Sequence, residues 1–526
     1  MVVDMSGKGR TTGAAGLRME RLNQYLSNHL PWALLFLGIF LATHWQEVSS
    51  PTFNVDDWGL VLDPIHQSSL SRPGWDLVYG GLFQGSFSPF LGWMLAGFSL
   101  YACALAAAVP LPVLTPPWVC LLALITASHT YLLDLFNFSF CIGLYLLPAA
   151  LSLWGAVLMG YWDGPRRPVA WCGGTALFCL AMAIYQPTGF LGIGMLGLQA
   201  LAMAFSIRRF PARAGLRVLG GVLAGGFAYY LWSLVAMAGQ AANERTGFVT
   251  LAKLLRKLRQ GSVFREVYNT DVAPVPPVPQ LLLSLSFLVL LVVATLWLLR
   301  RMRGRERVHR LGLLWLAAGS LTLLPFGLFF LRSGFPSRAF ALGNYGIGVF
   351  LITVLVLLQR AAGSGQRLSQ AVVTLLAVAV LLPQGAAFSK VWDRQSLLAQ
   401  RDLAMAQQIL TDVRTIARDT NLPAQRFAVL GTTGRTEIFP TWSSVGQSAL
   451  GESWAIRGLF ANLLGTEVET ASLRPKREDS AEQATVRVAL PTCTAYPEAG
   501  SIVPWGDRLL VCLEANASAL PGPATP

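Results

Sequence analysis

Apolar residues in this chain gather into long runs separated by short polar connections. The runs lie at about 30–46, 88–109, 114–130, 137–160, 169–186, 187–206, 218–238, 279–299, 311–331, 345–359 and 368–388. A helix needs about 20 predominantly apolar residues to cross the hydrocarbon core, so the pattern predicts about eleven transmembrane helices. The first run ends Leu41-Ala-Thr-His44-Trp45 with no small-x-small cleavage site and reads as an uncleaved anchor. The Pro110–Pro117 stretch, with four prolines, marks the turn between the second and third runs. After residue 388 the pattern changes. A helical stretch over Val391–Thr420 is followed by a strand-like Arg426–Thr433, a helix around Ser444–Leu464, and strand-like Ala484–Leu490 and Leu509–Glu514. The expected fold is an all-α polytopic membrane bundle with a small α/β C-terminal domain. Its divisions are a basic N-terminus (1–28), a membrane domain (29–388) and a C-terminal domain (389–526).

Composition and charge give this an orientation. Only 13% of the 526 residues are charged and 54% are hydrophobic, against about 25% charge in soluble domains. That excludes disorder, a disulfide-rich secreted scaffold and a coiled coil as the main architecture. Residues 1–388 carry a net +14 and residues 389–526 a net −1, so the basic excess belongs to the membrane part. It clusters at Lys8, Arg10, Arg18 and Arg21, at Arg166 and Arg167, at Arg208, Arg209, Arg213 and Arg217, from Arg300 to Arg310, and at Arg360 and Arg367. Lys and Arg near span ends are retained in the cytoplasm. Alternating eleven helices from a cytoplasmic N-terminus places each of these clusters inside, and the loops 47–87 and 239–278 and the C-terminal domain outside. The basic character is a topology signal, and no nucleic-acid partner is expected.

Cys103, Cys120, Cys141, Cys172 and Cys179 lie in apolar runs and read as small hydrophobes. Cys493 and Cys512 fall in the C-terminal domain. In an oxidising compartment they either pair, closing a loop of about 20 residues worth on the order of 3 kcal/mol, or stay free. No Cys/His spacing suggests a metal site, the residues fix no cofactor, and they leave open whether an otherwise unsupported divalent ion takes part.

Candidate chemistry collects in the external loops. The first contains Phe53-Asn-Val-Asp56-Asp57-Trp58-Gly59. Adjacent carboxylates repel, which raises one of their pKa values and suits it to accept a proton; equally, Asp residues cap short helices. Trp58 fits either a stacking platform for a sugar ring or an interfacial belt. The same side carries His129-Thr-Tyr-Leu-Leu-Asp134-Leu-Phe-Asn137 and Tyr185-Gln186-Pro187-Thr188. Asp134 reads as a helix cap or as a second carboxylate of a site. The amphipathic Leu251–Arg259 is basic although external, so it lies on the membrane surface, or guides a phosphate-bearing lipid. Arg332 and Arg338 flank a span end, where two arginines clamp a phosphate or snorkel to the interface.

Taken together, Asn54-Val-Asp56-Asp57 after the first span, the His129–Phe140 stretch, Ala183-Ile184-Tyr185-Gln186 and Pro336-Ser337-Arg338 resemble the serotype-converting O-antigen glucosyltransferase family. Its members belong to the membrane-embedded C-type glycosyltransferases. The likeness runs thinly through nearly the whole chain. Where the family carries a Gly-Arg pair after the acidic motif, this chain has Arg72-Pro73-Gly74 and Gly80-Gly81-Leu82. The resemblance implies a bacterial inner-membrane enzyme with a periplasmic C-terminal domain. It would move a sugar, glucose by the family's habit, from a polyprenyl-phosphate donor to a glycan acceptor, with inversion. Asp56 or Asp57 is then the general base and Arg332 and Arg338 hold the donor phosphate. Asp134, His129, Tyr185, Gln186 and Trp58 bind sugar, and membrane lipids surround the whole. Two other readings use the same spans: a transporter or flippase for a lipid-linked anion, and a non-catalytic envelope scaffold.

Overall fold

The structure is a computed structural model that describes residues 14–54, 57–58, 72–85, 88–139, 141–162, 166–207, 212–238, 252, 255–256, 278–323, 341–361, 366–433, 445–465, 468–471 and 490–516. It is mostly helical and divides into two units, 1–49 with 66–136 and 141–389, and 50–65 with 137–140 and 390–526.

The first unit contains α1 (Ala14–Thr43), α2 (Trp45–Ser49), α3 (Pro73–Leu82), α4 (Pro89–Ala108), α5 (Pro116–Ala127), α6 (Thr130–Phe136), α7 (Ile142–Tyr161), α8 (Arg167–Ile184), α9 (Gln186–Gly189), α10 (Gly194–Ala204), α11 (Ala212–Ala236), α12 (Val278–Arg301), α13 (Gly304–Thr322), α14 (Gly343–Ala361) and the start of α15 (Gln366–Thr420). Prolines open several of them: Pro73, Pro89, Pro116, Pro168 and Pro187 stand in the first turn. There the missing N–H is no loss and the fixed φ already suits a helix.

Seven helices among the described residues are long and apolar enough to cross a membrane: Pro89–Ala108, Ile142–Tyr161, Arg167–Ile184, Gln186–Ala204, Arg213–Ala236, Gln280–Arg301 and Gly343–Ala361. They mark a membrane protein. These correspond to seven of the eleven expected runs. The first and third runs form shorter apolar helices, Ser27–Thr43 and Pro116–Ala127. The 311–331 run begins inside α13, whose opening turns carry Arg305, Glu306, Arg307 and Arg310. The last run does not end near residue 388 but continues into the polar stretch as the single 55-residue α15, with Pro383 inside it.

Within this unit α7 is central, packed on α4 and α8, while α8 also meets α3 and α11, and α14 meets α5, α12 and α13. With lipid on the outside, helix association depends on close backbone approach. At the α7–α8 crossing a Cβ on Gly155 would stand 2.7 Å from the Gly174 carbonyl oxygen, so neither position tolerates a side chain. By contrast α12 leaves Leu281, Leu282, Leu285, Leu288, Val289 and Val292 exposed, an apolar face that lipid would cover.

The second unit holds the rest of α15, β1 (Phe427–Leu430), α16 (Ser453–Leu464), β2 (Glu469–Ala471), β3 (Ile502–Trp505) and β4 (Arg508–Cys512). The strands form one sheet in the order β2-β1-β4-β3. β1 runs parallel to β2 and β4, and β3–β4 is an antiparallel hairpin. Strand alternation divides the core. Phe427, Val429, Leu509 and Val511 face Ala406, Ile409, Leu410, Val413 and Ala417 of α15, a helical-period stripe, together with Ile456, Leu459 and Phe460 of α16. Ala428, Leu430, Leu510 and Cys512 form a smaller cluster with Leu490. Cys493 and Cys512 are disulfide-bonded, with Cα atoms 6.4 Å apart. Of the expected strands, 426–433 and 509–514 are present in shortened form, the helix expected at 444–464 starts at Ser453, and 484–489 lie outside the described residues.

Polar ties, two of them buried, brace α15. Asp402 accepts from Ser448 Oγ (2.7 Å) and Ala449 N (2.6 Å), Gln395 Oε1 accepts from Gly446 N (3.0 Å), and Tyr496 Oη donates to Asp412 (2.7 Å). Burial pushes the Asp402 carboxyl up, against the opposing pull of the Ser448 and Ala449 hydrogen bonds and of Arg401.

Candidate functional site

The second unit is more than the C-terminal tail, because it includes the acidic segment of the first loop. Asn54 and Asp57 cap each other: Asp57 N donates to Asn54 Oδ1 at 2.9 Å, and Asn54 N donates to Asp57 Oδ2 at 3.2 Å. This is a capping box with Asn at the cap and Asp three residues on, which starts a helical turn in which Trp58 N donates to Asn54 O at 3.2 Å. Asn54 Nδ2 then donates to the Asn137 carbonyl at 2.5 Å, and Ser139 Oγ donates to Thr52 O at 3.5 Å. Asn54, Asp57, Asn137 and Ser139 are all fully buried. Two stretches singled out in the sequence, 83 residues apart, are thus joined by a short hydrogen bond.

Trp58 sits in the main core of this unit, 9% exposed, in one cluster with Ile409, Val413, Ile456 and Leu459. Its ring contacts Phe53 edge-on at 4.9 Å, and its carbonyl lies over Gly458, leaving no room for a Cβ there. The expected sugar platform or interfacial belt is replaced by an anchor: an indole buried in a core presents no free face to a ring or to lipid. Asp56 lies outside the described residues, as do Arg332 and Arg338 and most of 239–278.

The remaining candidates lie in the first unit. α8 ends where Tyr185 adopts an extended backbone (φ −154°, ψ 104°), and the chain re-enters helix at Gln186. Pro187 lacks the N–H that would continue the ladder, which explains the break. The Arg72 guanidinium lies 4.8 Å from the Tyr185 ring centroid, Tyr185 meets Tyr145 edge-on at 4.6 Å, and Tyr145 meets Trp75 at 5.4 Å. A Cβ on Gly74 would stand 2.8 Å from Ala183 Cβ, so Arg72-Pro73-Gly74 is pressed against the end of α8. Gln186 Nε2 donates to Tyr229 Oη (2.7 Å) and Thr188 Oγ1 to the Tyr145 carbonyl (2.5 Å). His129 and Asp134 flank and occupy α6, both buried, and Tyr131 N donates to His129 Nδ1 at 3.2 Å.

Nothing in the sequence assigns a role to Arg72, Tyr145 or Tyr229. For Arg72 the signal was its neighbour Gly74, the small residue that close approach demands. Asn-x-x-Asp at 54–57 was a legible cap signature. Among the described residues no group of three His, Cys, Asp or Glu side chains is placed to hold a metal ion. No protein-family model, curated protein or solved structure matches the chain.

Proposed function

We propose that this protein is a membrane glycosyltransferase that moves a hexosyl group from a polyprenyl-phosphate donor to a glycan hydroxyl, at the face of the bilayer opposite the cytoplasm. The observation that carries the reading is the Asn54–Asn137 hydrogen bond, which joins the acidic motif to the His129–Phe140 stretch, two of the segments on which the family resemblance rests.

Asp57 takes part in the capping box through its N–H and Oδ2, which supports Asp56, of the two candidates, as the base. Asp56 takes the proton of the acceptor hydroxyl as its oxygen attacks the anomeric carbon. The bond from that carbon to the phosphate oxygen breaks, and polyprenyl phosphate leaves carrying the electron pair. Arg332 and Arg338 steady the phosphate charge. A single displacement inverts the anomeric centre. His129, Asp134, Tyr185 and Gln186 are the sugar-binding candidates.

One observation favours the transporter alternative: the helix break at Tyr185, since interrupted helices build transporter binding sites. The test is to incubate the purified full-length protein with a panel of polyprenyl-phosphate hexoses and a glycan acceptor, following release of polyprenyl phosphate. Acceptor-dependent release supports the enzyme. Binding without release supports the transporter.

A further inference from the structure

Three helix ends of the membrane unit meet in a buried polar relay that the site described above does not use. Gln280, in the first turn of α12, donates through Nε2 to Asn344 Oδ1 at 2.8 Å. Asn344, in the first turn of α14, donates through Nδ2 to Ser128 Oγ at 3.4 Å, and Ser128 follows the last residue of α5 and donates to Ile125 O at 2.7 Å. All three side chains are buried. In an apolar setting such a set persists only where its members satisfy one another or serve a ligand.

The next residue, His129, is left incomplete. Because Tyr131 N–H donates to Nδ1, that nitrogen carries the lone pair, and the ring is the neutral tautomer with its hydrogen on Nε2. Nε2 has no hydrogen-bond partner among the described residues, although His129 is only 1% exposed. The ring therefore presents a buried donor on the side away from Tyr131, an unmade hydrogen bond that a ligand oxygen would complete. Ser128, His129, Gln280 and Asn344 are all uncharged, and Asp134, a carboxylate, stands five residues along. That chemistry suits a neutral polyhydroxylated ring better than a phosphate.

We infer that His129 Nε2–H is the donor that reads a hydroxyl of the transferred hexose, and that Asn344, held by Gln280, is a positioning residue acting on it through Ser128. The inference rests on the glycosyltransferase reading and deepens it by assigning how the sugar is recognised.

The test compares equilibrium binding of a polyprenyl-phosphate hexose and of bare polyprenyl phosphate to the full-length protein in nanodiscs. The variants are His129→Phe, Asn344→Leu and the milder Ser128→Ala, which removes one oxygen. The wild type should prefer the hexosyl lipid. His129→Phe and Asn344→Leu should lose that preference by about tenfold and Ser128→Ala by a smaller factor, each still binding the bare lipid like the wild type. Retained preference in His129→Phe and Ser128→Ala, with unchanged thermal unfolding, would overturn the inference alone. A wild type that does not distinguish the two lipids would overturn both it and the reading beneath it.

Discussion

Asn54 holds Asn137 by its side-chain amide, donating to the Asn137 carbonyl at 2.5 Å while its other side-chain atom, Oδ1, caps Asp57. One side chain thus fixes both the start of the acidic turn and its attachment to a segment far along the chain. Asn54→Ala removes both bonds and leaves a buried carbonyl short of its donor, at a cost of about 2 kcal/mol. Asn54→Ser keeps the cap but is too short to reach Asn137, so it should fall between. Thermal unfolding of the two variants checks this, and an unchanged midpoint for Asn54→Ala would show that the bond carries no weight.

Trp58 separates packing from ligand contact. Its place in the core means that Trp58→Ala should destabilise the second unit by about 3–5 kcal/mol. Trp58→Phe keeps most of the apolar volume and should leave donor kinetics near normal. A large rise in donor KM in a well-folded Trp58→Phe protein would return this residue to the sugar site.

The buried Asp402 ties stability to pH. Its folded pKa is raised above that of an unfolded Asp, chiefly by burial. The folded state therefore binds its proton more tightly, and stability from this group is complete below the usual carboxylate pKa and is lost as pH rises through the raised value. Asp402→Asn can still accept from Ala449 N and pair with Ser448, so it should flatten this slope without unfolding the protein. Unfolding midpoints measured across acid to neutral pH compare the two; identical slopes would remove Asp402 as their source.

The Cys493–Cys512 disulfide closes a loop with a sequence separation of 19 and holds the end of β4. Reduction, or the double Cys→Ala variant, should cost about 3 kcal/mol. The loss should appear in unfolding of the C-terminal unit, with far-UV helicity of the spans little changed.

Much of this architecture was legible in the chain because long apolar runs and first-turn prolines are local signals. Pro89, Pro116 and Pro168 mark helix starts close to where the runs begin. The length of α15 was not legible. Hydropathy falls at its middle while helix-forming residues continue, and a reading by hydropathy cuts a helix where the polarity changes. The site was legible only in part. Asn54-x-x-Asp57 carried the spacing of a reciprocal cap, yet its link to Asn137 is a long-range contact with no local pattern. The same holds for Trp58, whose burial depends on α15 and α16 far along the chain, and for Gln280 and Asn344, neutral residues at helix starts that meet only through tertiary packing.

The most direct measurement is the release of polyprenyl phosphate from a polyprenyl-phosphate hexose by the purified full-length protein, with Asp56→Asn and Asp57→Asn beside it. The account predicts acceptor-dependent release that falls at least ~10²-fold in Asp56→Asn, the scale of losing a general base, and stays within a few-fold of normal in Asp57→Asn, which can still cap the turn. No release from any donor in the panel, or an undiminished rate in Asp56→Asn, would contradict it.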